Sequence, residues 1–244
     1  MALIEIKQPE SEKLFTEVAQ RIGEFLATKS AQPQIVVALP GGRSVVKLLD
    51  AMLPALRELT PATRAKLQFF MVDERVVELS SPDSNFKMLN ELFYSKAIAE
   101  GLLSKGQLNP FEISFEPVEH PIELPIERIV QNYGEKLSSF GGLFDVTVLG
   151  VGEDAHVAGL FPNHHSIKNP ADQFITFKDS PKPPPYRMTA SRKLVESSKM
   201  AVGLFVGEAK REALELFRKE DNVENCPAAL LKKLPLGVVA TDLI

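Results

Sequence analysis

The stretch FDVTVLGVGEDAHVAGLFP, residues 144–162, starts as an apolar run, passes into a glycine loop and reaches a histidine. Its opening, LFDVTVL (143–149), is apolar with little alternation, the mark of a strand buried on both faces. Four more runs share that character: IVVAL (35–39), LQFFMV (67–72), AVGLFV (201–206) and LGVVA (236–240). Between them lie SEKLFTEVAQRIGEFLATK, SVVKLLDAMLPALREL, SNFKMLNELFY, IERIVQNYGEKLSSF and EAKREALELFRKE, with apolar residues at helical spacing. Such alternation predicts parallel strands joined by helical crossovers. The expectation is one doubly wound, mostly parallel α/β sheet with helices on both faces, a Rossmann-like domain over residues 1–244. The segment 102–126, with Pro110, Pro117, Pro121 and Pro125, is the least regular and reads as a link between two halves of that fold.

The bulk composition narrows the function. Hydrophobic residues at 44% and charged residues at 25% suit a soluble globular chain. A net charge of -4 argues against a nucleic-acid partner, whose surface is met by basic proteins. A small anion remains compatible, because a few cations converging in a cleft suffice. The lone Cys226 excludes an internal disulfide framework and a cysteine-built metal site. MALIEIKQPESEK meets acid and proline too early for a signal peptide, and no apolar run approaches ~18 residues. A cytoplasmic protein off the membrane, monomeric or weakly dimeric, is expected.

The glycine loop has three readings. Gly150-Val151-Gly152-Glu153-Asp154-Ala155 fits the dinucleotide pattern G-x-G-x-x-A after a strand. That pattern also needs an acid about 20 residues on, ending a second strand. Here LFPNHHSIKNPADQF follows, with two prolines, and Asp172 precedes the next apolar run instead of ending one. A plain turn is the second reading. The third, favoured here, is a loop that presents His156 at a loop-to-helix junction, where imidazole serves as a base near neutral pH. Asp154, two residues before it, is suited to fixing its tautomer. His164 and His165 are adjacent, so their side chains are expected to diverge as surface residues; no metal site is expected. His120, in the proline-rich link, carries no signal.

Loops that follow parallel strands emerge on one side of the sheet, where ligands bind. PGGRS (40–44) sets two glycines at a helix N-terminus, whose outward N–H groups and dipole favour an anion. It lacks the lysine of a phosphate-binding Walker loop, and a tight turn capped by Ser44 is the plainer alternative. VDERVVELSSPDSN puts Asp73, Glu74 and Arg75 at a strand end, and arginine suits bidentate phosphate binding. Ser81-Pro82 reads as the start of the next helix, with Asp83, Ser84 and Asn85 in its first turn. SPKPPPYRMTAS (180–191) is a proline-stiffened approach to Arg187 and Thr189. VGEAKREAL sets Lys210 in the opening turn of another helix. Three cations from three segments read best as one anion site.

Taken in order, PGGRS, VDERVV with DSN, the 144–162 stretch, SPKPPPYRMT and VGEAK resemble the family that joins 6-phosphogluconolactonases to glucosamine-6-phosphate deaminases and isomerases. The resemblance runs from about Gly41 to Asp242. It implies a fold of the sugar-phosphate isomerase type and hydrolysis of 6-phospho-D-glucono-1,5-lactone, without metal or organic cofactor, in the oxidative pentose phosphate pathway. It further implies that His156 and Asp154 are catalytic. Gly41, Gly42, Arg43, Ser44, Asp73, Arg75, Asn85, Arg187 and Lys210 form the expected substrate and phosphate set. The chain departs from the family pattern in three places. Ala155 stands where glycine is usual, and a left-handed backbone there would cost alanine about 1–2 kcal/mol. Arg43-Ser44-Val45 replaces the usual Ser-Thr-Pro, so Arg43 substitutes for or obstructs a ligand. GLFPN replaces SLFPG. The deaminases tend to read Asp-Glu-Tyr at 73–75 and to follow the histidine with FNEPG, where this chain has Leu160-Phe161-Pro162; the lactonase reading is favoured. A non-catalytic sugar-phosphate-binding protein of the same fold is the remaining alternative.

Overall fold

A computed structural model of the chain describes residues 2–113 and 126–244, so His120, Pro117, Pro121 and Pro125 lie outside the described residues. Among the described residues ten strands follow in chain order: β1 (Ala2–Lys7), β2 (Ile35–Leu39), β3 (Leu67–Met71), β4 (Asp73–Arg75), β5 (Leu108–Asn109), β6 (Val146–Gly150), β7 (Phe174–Phe177), β8 (Arg187–Ala190), β9 (Met200–Phe205) and β10 (Leu236–Thr241). Seven of them form one sheet in the order β1-β10-β9-β6-β2-β3-β5. Every pairing in it is parallel. All five apolar runs supply strands of this sheet, and β2, β3 and β9 are buried along their whole length. Among the described residues, no helix is long and apolar enough to cross a membrane.

Two strands of the sheet lack that signature. β1 lies at the edge with β10 as its one neighbour, and only Ile6 is fully buried. An edge strand with one partner keeps its charged residues, so ALIEIK carries no continuous apolar run. β5 is two residues long and pairs with β3 from inside the irregular link.

The chain order explains where a cleft opens. From β2 the chain moves outward to β3 and β5, then returns to β6 and proceeds the other way to β9 and β10. The neighbours β2 and β6 therefore flank the switch point, where open α/β sheets place their ligands. Their ladder contains only Val37↔Val146 and Ala38↔Thr147. Ahead of it the Asp145 N–H still donates to the Val36 carbonyl at 2.9 Å, while the Asp145 carboxylate, in place of a ladder carbonyl, accepts the Val36 N–H at 2.9 Å.

The expected parallel sheet is joined by a small second one that the sequence did not announce. β4, β8 and β7 pair antiparallel in the order β4-β8-β7. These strands are three or four residues long and two of them carry arginine, so neither length nor apolar continuity marks them. Helix α1 (Ser11–Thr28) packs on α2 (Arg43–Glu58). The cap of α2 is Gly42, at φ 94°, and not Ser44, which falls in the first turn. The next helix starts at Asn85 and not at Ser81-Pro82, which lie in a turn; Ser84, expected inside the first turn, is the cap, its hydroxyl accepting the Lys87 N–H at 3.1 Å.

Candidate active site

The loop after β6 is folded tightly on itself. The Gly152 N–H donates to the His156 carbonyl at 2.8 Å, the Ala155 N–H to the Gly152 carbonyl at 3.1 Å, and Val151 and Val157 form an antiparallel bridge. No helix opens here; the next begins at His165, which corrects the expected junction at His156. Gly152 has a specific reason to be glycine. A Cβ there would lie 2.0 Å from Nδ1 and 2.2 Å from Cε1 of His156. The close approach that this glycine permits is taken up by the imidazole ring, which counts against the dinucleotide reading. Ala155 is left-handed at φ 64° and fully buried, so the strain anticipated for alanine is present. Its carbonyl accepts the Ala228 N–H at 3.0 Å, which holds the residue in that conformation.

His156 is oriented from two sides. Its Nδ1 lies 2.5 Å from Asp154 Oδ1, and its ring packs at a 38° tilt against that of Phe161, with centroids 4.7 Å apart. With Nδ1 engaged, Nε2 is the nitrogen left for the cleft that the ring lines. Asp154 sits behind the imidazole and does not line the cleft. Burial alone would raise its pKa, but the hydrogen bond and charge of His156 outweigh that and hold the carboxyl at about 2. The pair therefore has an ionised carboxylate facing Nδ1.

The cleft has a volume of about 650 Å³ and runs between the loops after β2, β6 and β9 and the small antiparallel sheet. Gly41, Gly42, Arg43, Ser44, Asp73, Arg75, Asn85, Arg187 and Lys210 all line it, as does His156. Gly41 lies against the Asn85 side chain so closely that a Cβ would fall 1.8 Å from Oδ1. Asn85 in turn donates to the Asp73 carbonyl at 3.0 Å, which ties the glycine loop to β4. Glu74, beside these residues, acts as a structural brace, and its carboxylate accepts N–H groups of Asn85, Phe86 and Arg75 at 2.7–2.8 Å.

Arg75 and Arg187 are direct cross-strand partners of β4 and β8. Like charges at opposed positions repel. Arg187 is 5% exposed, and the Nε atoms of both residues are buried with no hydrogen-bond partner. Their remaining bonds go to carbonyls, Arg75 Nη1 to Asp83 at 2.8 Å and Arg187 Nη2 to Pro183 at 2.8 Å. Among the described residues neither forms a salt bridge. Burial and the charge of Arg75 push the Arg187 pKa down, against the attraction of Asp73, Glu74 and Asp83. Asp73 is pushed up by burial despite Arg75, Arg187 and His156. Lys210 is pushed down by burial, with Glu153 and Asp154 opposing and Arg43 and Lys182 adding to the depression. An anion in the cleft would relieve the crowding of positive charge.

Some lining residues went unread in the sequence. Lys182, inside the quoted SPKPPPYRM, lines the cleft, and its carbonyl is 3.3 Å from Arg187 Nη2. Lys47 also lines it, one helical turn beyond Arg43, a position that helical spacing makes legible. Phe161 reads as core and gave no such signal. The expectation for His164 and His165 is overturned: both rings converge on Asp179 and lie 4.1 Å apart. His164 is an extended N-cap while His165 has already entered the helix, and this change of backbone turns neighbouring side chains toward one point.

The fold and cleft define a class: an open α/β protein whose switch-point crevice is lined by a carboxylate-bound imidazole and several cationic side chains. The chain matches, over residues 9–237, the family described as glucosamine-6-phosphate isomerases/6-phosphogluconolactonase, and it belongs to that family. It is 32% identical over 208 residues to the 6-phosphogluconolactonase of Borreliella burgdorferi, covering 85% of this chain and 83% of that one. Identity to the human 6-phosphogluconolactonase is 30% over 221 residues, 88% of this chain and 80% of the relative. The crystal structure of 6-phosphogluconolactonase from Thermotoga maritima superposes with a TM-score of 0.79 at 23% identity, over 98% of this chain and 99% of that one, which shows the shared fold.

Proposed function

We propose that this protein hydrolyses 6-phospho-D-glucono-1,5-lactone to 6-phospho-D-gluconate, with His156 as general base. The observation that carries the reading is the pairing, in one cleft, of an Asp154-bound imidazole with buried arginines that have no carboxylate partner. The phosphate binds Arg75 and Arg187, with Lys182 and Lys210 nearby, and fixes the lactone ring across the cleft. His156 Nε2 takes a proton from water, and the hydroxide formed attacks the lactone carbonyl. Free N–H groups at the start of α2, behind Gly41 and Gly42, or the Lys210 ammonium stabilise the tetrahedral oxyanion. The ring oxygen leaves and takes up the proton held by His156. Asp154 keeps the tautomer with its proton on Nδ1 and stabilises the imidazolium.

The family's deaminases tend to carry a glutamate after the histidine; here Phe161 occupies that region and packs against the imidazole. The carboxylates lining the cleft are Asp73, Glu153 and Asp242. This favours ester hydrolysis over deamination. We further propose that residues 1–244 act as one cytoplasmic unit in the oxidative pentose phosphate pathway.

The test is the opening rate of freshly made lactone, with spontaneous hydrolysis subtracted. The wild type accelerates it, and His156→Ala loses about 10²–10⁴-fold. Equal rates for the two proteins would remove His156 from the chemistry, and a wild type no faster than buffer would remove the activity.

A further inference from the structure

We propose that His164, His165 and Asp179 form a binding site for a divalent transition-metal ion of the zinc type, outside the cleft. One imidazole nitrogen from each histidine and a carboxylate oxygen of Asp179 lie within 4.8 Å of one another. A zinc-type ion holds such donors at about 2.0–2.2 Å, so its ligand atoms sit roughly 3.5 Å apart. His165 Nε2 is already 2.9 Å from Asp179 Oδ1, and His164 Nε2 is 3.5 Å from the same oxygen. Small rotations of the exposed His165 and Asp179 side chains close the remaining gap. Two imidazoles and one carboxylate are a donor set for zinc, copper or nickel, not for calcium or magnesium.

Three features set this cluster apart from a chance grouping. His164 is held in place: its side chain is 13% exposed, and its ring packs 5.2 Å from that of Phe177. Its Nε2, the atom aimed at the cluster, is buried and lacks a hydrogen-bond partner. Its Nδ1 lies 3.0 Å from the Ser166 hydroxyl, the outer-shell contact that orients a metal-bound imidazole. Coordination through Nε2 moves the ring proton to Nδ1, where the Ser166 oxygen accepts it. The cost is the Ser166 N–H bond to Nδ1, which is 3.2 Å long.

The ion would join the loop that follows His156 to the turn that leads to Lys182 and Arg187. Phe161 links the two centres, with its ring 4.7 Å from that of His156 and 6.0 Å from that of His164.

Zinc chloride titrated calorimetrically into chelator-treated full chain tests the assignment, with cobalt(II) absorption reporting the ligand field. One equivalent is expected to bind and to raise the melting temperature. His165→Ala and Asp179→Asn should each weaken binding at least tenfold, on the order expected for loss of a ligand or its support. His156→Ala should bind as the wild type does. His164 is left unaltered because it also caps its helix. Absence of binding to the wild type, unchanged affinity in both His165→Ala and Asp179→Asn, or loss of binding in His156→Ala would each overturn the proposal. The last result would put the ion in the cleft. None of these readouts depends on lactone hydrolysis.

Discussion

The two lips of the cleft are built differently. One is a loop at the end of β6, a strand of the large parallel sheet, and it holds His156 by a carboxylate behind and an aromatic ring beside it. The other is a small antiparallel sheet in which Arg75 faces Arg187 across the strands, with buried nitrogens left unpaired. The first lip settles its own charges; the second carries charge that an external anion would complete. In this reading chemistry and anchoring stand on separate platforms, so each can be damaged without the other.

Gly152→Ala attacks the imidazole lip without touching a polar group. The added Cβ would fall within 2.0 Å of the His156 ring, which Phe161 backs. A loss of 10²-fold or more in kcat is expected, since a displacement of about 1 Å has that effect. Steady-state kinetics beside His156→Ala would check it, and a fully active Gly152→Ala would show that the ring need not stand where it does.

Arg75→Ala attacks the other lip. Loss of hydrogen bonding to a charged group is worth about 1.5–3 kcal/mol, roughly a 10- to 100-fold rise in KM for the phosphorylated lactone. An unphosphorylated lactone should be handled as before. Equal losses on both substrates would erase the division between the lips.

A smaller effect separates them by pH. The folded-state pKa of Asp154 is lowered from 3.8 to about 2, so its contribution to stability is present above pH 3.8 and lost as pH falls through about 2. Because its side chain is 35% exposed, screening reduces that contribution to the order of 1 kcal/mol. Urea unfolding should find Asp154→Asn less stable than the wild type near neutral pH, with the gap closing toward pH 2. Asp73, on the cation side, has the opposite sign: its raised pKa gives stability below the usual carboxylate range that is lost as pH rises through the folded value. Asp73→Asn should therefore lose nothing at neutral pH, and a marked loss there would show that the arginines outweigh burial.

Smallest of all is Ala155→Gly. It removes left-handed strain of about 1–2 kcal/mol but gives the unfolded chain more freedom and empties a buried methyl position. The net change in unfolding free energy should stay within about 1 kcal/mol. A gain well above that would show Ala155 to be the main strain in the loop.

Most of the large sheet was legible because strands buried on both faces must be apolar throughout, and five runs announced it. β1 escaped because an edge strand has one neighbour, and β4, β7 and β8 because three or four residues make no long apolar run, the less so where arginine is among them. The site residues were nominated by motif, and the cleft gathers all of them except Asp154, which supports His156 from behind. Lys182 was passed over beside the more prominent Arg187. His164 and His165 were misjudged because adjacency in sequence says nothing of a backbone that changes from extended to helical between them.

Sequence alone therefore determined the parallel sheet, the glycine loops and the residue types at their tips, since periodicity and local chemistry are properties of short segments. Only the tertiary structure decided that Arg75 faces Arg187, that Gly152 makes room for an imidazole, and that two neighbouring histidines share one carboxylate. The first arises between strands far apart in the chain, and the other two from the backbone course of loops, which residue identity along a segment does not encode.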